Sequence, residues 1–166
     1  MKRVTLAISI ALAASLPVLH AQAGEKKLQE GEVPKPVIEA VKKKYPKAKL
    51  LHFEHETDDG QSVFEVGLAS ANGRMEVELS PDGKILEEAV LIATRDLPAE
   101  VKKGLASSKY VKWTIKHVQR VIVEEKADSP TYEVLVADDG GMTELVMDKA
   151  GVITKEEVKH GDEDDD

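Results

Sequence analysis

The sequence predicts an α+β fold: two tandem helix-plus-antiparallel-sheet repeats, with both helices on one face of a twisted antiparallel sheet and the other face open to water. Three observations point there. Apolar residues recur at helical spacing in two short stretches, each opened by an apolar residue and a proline, Val33-Pro34 and Leu97-Pro98. After each stretch the period drops from about 3.6 to about 2, the period of a half-buried strand. The strand segments then match at one constant offset, Phe64-Glu65-Val66 onto Tyr132-Glu133-Val134, Gly73 onto Gly141 and Gly83-Lys84-Ile85 onto Gly151-Val152-Ile153.

The first element stands apart from the fold. Met1-Lys2-Arg3 precedes an apolar run from Val4 to Leu19, and Ala21-Gln22-Ala23 supplies a small-x-small cleavage pattern. Residues 1–23 therefore read as a signal peptide cleaved near Ala23/Gly24, which implies a periplasmic or secreted product. Ser9, Ser15 and Pro17 interrupt the run, which is shorter than the roughly 20 apolar residues of a spanning helix. Residues 24–32 read as a linker.

Repeat 1 is expected over 33–92. Proline suits the first turn of a helix, where its missing N–H needs no partner. Val37, Ile38, Val41 and Tyr45 form an apolar stripe, with Lys42, Lys43 and Lys44 on the other side. Strands follow in which Leu51, Phe53 and His55, then Phe64, Val66 and Leu68, then Met75, Val77 and Leu79 point one way and the intervening residues the other. Asp58-Asp59-Gly60, Ala71-Asn72-Gly73 and Pro81-Asp82-Gly83 supply turns, and a short fourth strand starts near Ile85.

Repeat 2 is expected over 97–158. Its helix, Pro98 to about Ser108, contains Gly104, which costs about 1 kcal/mol against alanine and predicts a shorter element. Strands are expected at Val111 to Val123, long enough to bend, and at Tyr132 to Ala137, Thr143 to Asp148 and Val152 to Val158. Residues 159–166 end in Asp162-Glu163-Asp164-Asp165-Asp166, a self-repelling tail expected to be disordered.

The chain of 166 residues carries 23 Lys and Arg against 31 Asp and Glu, a formal charge of −8. That balance argues against nucleic acid, which requires a positive footprint. Absence of cysteine removes disulfides, thiolate nucleophiles and zinc ribbons. Ser107-Ser108 and Ser129-Pro130 lack nucleophile-elbow glycines, and neither a phosphate-cradling glycine loop nor an HExxH pair occurs. The expectation is a protein that is not an enzyme and needs no cofactor.

The ordered motifs Val33-Pro34, Tyr45-Pro46, Phe64-Glu65-Val66 and Asp82-Gly83 resemble the PepSY-like family, described as β-lactamase-inhibitor-like. Leu97-Pro98, Tyr132-Glu133-Val134 and Asp148-Lys149-Ala150-Gly151 repeat the outline, with Lys109-Tyr110-Val111 where the Tyr-Pro would stand. The resemblance spans about Val33 to Val158. It implies exported modules that bind something, with enzyme inhibition inferred from the fold, and it transfers no catalytic residue.

The polar face of the sheet carries the candidate binding residues. His52, Glu54 and Glu56 share one side of a strand, and Glu65, Glu76 and Glu78 share that side on neighbouring strands, with Glu133 and Glu144 as their counterparts. Carboxylates suit calcium, and a histidine among them suits zinc or another transition metal. The simpler reading is a solvated face balanced by Arg74 and neighbouring lysines; a third use is steering of a basic partner. His55 and His117, on the apolar parity, are expected to be hydrogen-bonded and partly buried. Trp113, Phe64 and Tyr132 look committed to the core, Asp58, Asp59, Asp138 and Asp139 to turns, and His160 to the tail.

These readings combine into an exported, noncatalytic binding module that engages a protein or peptide partner through the open sheet face, restraining an exported enzyme in one version. The alternative is a periplasmic protein that binds or senses divalent cations with the same acidic face. No membrane insertion is expected after cleavage.

Overall fold

The computed structural model describes residues 26–58, 60–71 and 73–159. The expected signal peptide, His160 and the acidic run that follows it lie outside the described residues. One antiparallel sheet contains nine strands whose spatial order is their chain order. They are β1 (Lys26–Leu28), β2 (Lys49–Asp58), β3 (Gln61–Ser70), β4 (Gly73–Leu79), β5 (Ile85–Leu91), β6 (Thr114–Val123), β7 (Thr131–Asp138), β8 (Gly141–Met147) and β9 (Ile153–Lys159). Helix α1 (Lys35–Lys44) precedes β2, and α2 (Ala99–Ser107) precedes β6.

This corrects the expected fold class. In place of two tandem helix-plus-sheet repeats, the chain forms one nine-stranded meander with two short helices. The reason lies at β5 and β6, which pair from Leu91↔Gln119 to Glu87↔Val123. Hydrogen bonding thus continues through the point where two units would have ended, and neither strand is left as an exposed edge. Strand β1, in the segment expected as a linker, pairs with β2 from Lys26↔His55 to Leu28↔Phe53 and caps that edge.

Helix α1 buries Val37 and Val41 completely against Phe64, Val66, Val77 and Leu79. Helix α2 buries Val101 completely and Leu105 nearly so against Val134, Val136, Leu145 and Met147. Each such side chain contributes about 1.5–3 kcal/mol by leaving water. The pairs Met75↔Val90, Val90↔Arg120 and Arg120↔Tyr132 run along one face from the first cluster to the second. Both helices therefore lie on that face.

At nine residues, α2 is one shorter than α1, and the contact at Gly104 explains its glycine. A Cβ on Gly104 would stand 2.0 Å from the Gly151 carbonyl oxygen, so glycine lets the helix cross the β8–β9 turn at backbone contact.

Two bulges change which way side chains point. One falls between Leu50 and His52, the other between Ile115 and His117. An extra residue inverts the alternation beyond it. Leu50 consequently packs on the first cluster while Leu51 is 41% exposed. His117 is likewise exposed instead of following Ile115 inward, which corrects its expected place on the apolar parity. His55 behaves as expected: it is partly buried, 2.7 Å from Ser62 Oγ and stacked at 4.9 Å from Phe64. The strand expected from Val111 begins only at Thr114. Trp113 sits at the edge of the second cluster, edge-on to the buried Tyr110.

Candidate functional site: an acidic trough on the open sheet face

On the face away from the helices, alternation places Glu65 between buried Phe64 and Val66, and Glu76 and Glu78 between Met75, Val77 and Leu79. Register then decides what those side chains meet. Glu54 lies opposite Glu65, Glu65 opposite Glu78, and Glu78 opposite Glu87. Four glutamates thus form a ladder across β2, β3, β4 and β5. Directly opposed like charges in an antiparallel pair are unfavourable, by about 0.2–1 kcal/mol each.

The ladder opens into a trough of about 310 Å³ lined by Glu65, Glu76, Glu78, Glu87, Glu133 and Glu144, with Ala89, Gln119 and Lys159. Ala89 and the adjoining Val121 are buried, and apolar neighbours of this kind strip water from the carboxylates beside them. Burial first, then repulsion from Glu78, Glu133 and Glu65, holds Glu87 up at about 7. Glu133 is also pushed to about 7, chiefly by burial and by the charge of Glu144, with which it shares a carboxyl–carboxylate hydrogen bond; Lys159 opposes the shift. Glu65 is raised by burial and by Glu76, against the opposing effect of its contact with His52.

The polar partners are few and specific. Gln119 Nε2 donates to Glu76 Oε2 at 2.7 Å. Lys159 Nζ lies 2.6 Å from Glu144 and 3.0 Å from Glu157. His52 Nε2 is 3.2 Å from Glu65 Oε1, and its ring lies over Gly67, where a Cβ would come within 2.0 Å of it. Ligand atoms of His52, Glu65 and Glu76 all fall within 4.8 Å of one another, as do those of Glu54, Glu56 and Glu65. A neighbouring concavity of about 440 Å³ shares Glu76 and Gln119 with the trough and carries both His52 and His117.

All eight residues singled out from the sequence share this face, but they do not converge equally. Glu65, Glu76, Glu78, Glu133 and Glu144 line the trough. His52 and Glu54 flank it, and Glu56, opposite Val63, lies farther toward the β2–β3 turn. Sequence reasoning missed Glu87, Gln119 and Lys159. Glu87 sits in Ile85-Leu86-Glu87-Glu88-Ala89, a run without alternation, beyond a register shift between Glu78 and Leu79. Lys159 ends β9, where the chain reads as the start of the tail.

Solved structures share the fold. A protein from Bacteroides eggerthii described as periplasmic superposes with a TM-score of 0.66 at 18% identity, covering 76% of this chain and 88% of its own. A DUF2874 family protein from Bacteroides ovatus gives 0.64 at 20% identity, covering 76% and 87%. A BLIP-like protein from Bacteroides fragilis gives 0.59 at 21% identity, covering 79% and 90%. The likeness is one of fold. No family model matches the sequence, and no curated protein matches it in sequence. No helix among the described residues is long and apolar enough to cross a membrane.

Proposed function

We propose that this protein is an exported, noncatalytic binding module whose acidic trough receives a basic segment of a protein or peptide partner. The observation that carries the reading is the in-register ladder Glu54–Glu65–Glu78–Glu87. A face that opposes like charges on four consecutive strands, beside carboxyls held near 7, gains stability when a cation enters it. Phe64 and Tyr132 are buried, so recognition rests on charge more than on exposed aromatic anchors. The leader-like residues 1–23 and the periplasmic description of a structural neighbour support export. The BLIP-like neighbour supports a version in which the partner is an exported enzyme under restraint, and the PepSY-like motif order belongs to the same reading.

Isothermal titration with an arginine- and lysine-rich decapeptide tests it. A cation in the trough favours the ionised form of Glu87 and Glu133, so binding near pH 7 should release protons to the buffer. Affinity should fall with added salt. A glutamate-rich decapeptide should give no heat. Binding that is indifferent to salt and to the double substitution E87Q/E133Q refutes the proposal, as does absence of binding.

A second reading is favoured by one feature, the placement of His52, Glu65 and Glu76 donor atoms within 4.8 Å. One nitrogen and two carboxylates are a donor set for a transition-metal ion. A saturable rise in melting temperature with zinc, abolished by His52→Ala, is its expected signature. A zinc response that His52→Ala leaves unchanged removes this reading.

A further inference from the structure

The helix-bearing face contains a separate concavity, independent of the trough. It lies between the two core clusters, over β5 and β6, and no residue of α1 or α2 lines it. Its volume is about 750 Å³, within the range of about 300–1,000 Å³ in which small-molecule sites fall. Met75, Val90, Ile92 and Ile122 supply apolar walls, and Pro46 and Ala48 continue them toward the start of β2.

Two donors stand together on this apolar lining. Arg120 and Tyr132 are directly opposed across β6 and β7, a register that brings Cβ atoms to about 4.5–5.5 Å. Tyr132 is 7% exposed, and its hydroxyl makes no hydrogen bond to any described residue. The ring is buried, whereas the hydroxyl is not among the buried unpaired atoms and reaches the open space of the cleft, where it can donate. Arg120 is partly buried and, among the described residues, forms neither an ion pair nor a hydrogen bond. Glu88 also lines the cleft, with one oxygen buried and without a hydrogen bond; Lys44 Nζ, 2.8 Å from that oxygen, balances its charge. Lys47 and Asp96 complete the charged lining, and Asp96 Oδ1 lies 3.8 Å from Arg95 Nε. With both acids paired to cations, the charges left over are those of Arg120 and Lys47, and the cleft calls for an acceptor that carries negative charge.

We infer that this cleft binds a small anionic amphiphile, a carboxylate on an apolar body. Arg120 holds the carboxylate through paired N–H donors, a geometry suited to a guanidinium. The Tyr132 hydroxyl donates to the same group, and the apolar body lies along Val90, Ile92 and Ile122. The site is distinct in face, charge and ligand from the acidic trough, which would repel such a molecule.

Titration calorimetry with dodecanoate below its micellar concentration tests the assignment, with dodecyltrimethylammonium as the probe of opposite charge and equal chain. Dodecanoate should bind saturably, one molecule per chain, and the cation should not. Arg120→Gln should weaken binding about tenfold, Arg120→Lys less, and Tyr132→Phe about threefold. Lys112→Gln, at an exposed position outside the cleft and the trough, should leave the affinity unchanged. Arg120→Lys keeps the charge, so it remains informative even where Arg120→Gln lowers the melting temperature. Absence of saturable dodecanoate binding overturns the inference. So does equal affinity for the cationic amphiphile, or an Arg120→Gln variant that binds as the parent does.

Discussion

Glu87→Gln separates the electrostatic cost of the trough from its packing. In the folded protein this carboxyl is held at about 7 instead of its ordinary 4.5, because it is buried and faces Glu78, Glu133 and Glu65. Between those values the folded state keeps a proton that the unfolded chain releases. Stability contributed by the protonated form is thus fully present below about 4.5 and is lost as pH rises through about 7. Converted at about 1.4 kcal/mol per tenfold, ionised Glu87 costs the fold about 3 kcal/mol at pH 8 and a few tenths at pH 4.5. Glutamine reproduces the shape of the neutral acid, so the variant should gain about 2–3 kcal/mol at pH 8 and less than about 0.5 at pH 4.5. Glu133 contributes to the shift of Glu87, so the two costs do not add. Urea unfolding of parent and variant at both pH values measures the difference, in which groups remote from the trough cancel. An equal gain at both pH values, or no gain at pH 8, would refute the electrostatic account.

Three further substitutions probe what holds the two faces in place. Gly104→Ala should lose about 2 kcal/mol or more in urea unfolding, although alanine is the better helix former by about 1 kcal/mol, because its methyl group meets the Gly151 carbonyl. Leu145→Ala, at a position with no exposure, should lose about 2–5 kcal/mol by the same assay. Gly67→Ala should leave stability within about 1 kcal/mol, since the group it meets is the free end of a histidine side chain. It should nevertheless abolish the nuclear Overhauser contact between the His52 ring and residue 67 and the zinc response expected of the His52, Glu65 and Glu76 donors.

Local pattern was legible in the sequence, and long-range pairing was not. Val37 and Val41 at helical spacing, and the alternation around Glu65, Glu76 and Glu78, fixed which side of each element would be buried. Gly73 and Gly83 marked turns that the fold uses with positive φ. Failure came where a single residue changes parity: after Leu50 and after Ile115 a bulge turns Leu51 and His117 outward. A bulge leaves no compositional mark in Leu50-Leu51-His52, where both leucines are plausible core. The register that joins β5 to β6 was invisible for a related reason. Pairing Glu87 with Val123 and Leu91 with Gln119 joins segments separated by a helix, and alternation within a strand does not name its neighbour. The trough inherits both limits: its rows of acids were readable, whereas Glu87, Gln119 and Lys159 required the strand order.

The core explains why the glutamate ladder cannot relax. Sliding β4 by one residue against β3 would separate Glu65 from Glu78, but it would also turn Val77 and Leu79, both without exposure, into water and bring Glu76 and Glu78 against α1. Burial of even two such side chains is worth about 3–6 kcal/mol, more than the roughly 1 kcal/mol at most that one opposed pair of like charges costs. Register is therefore held from the helix face, and repulsion on the open face persists as a consequence. Two routes of relief remain, proton uptake and the arrival of positive charge. Carboxyls held near 7 at Glu87 and Glu133 show the first in operation. A basic partner supplies the second, and because it competes with the proton for the same carboxylates, its affinity should rise with pH across the range in which those two groups ionise.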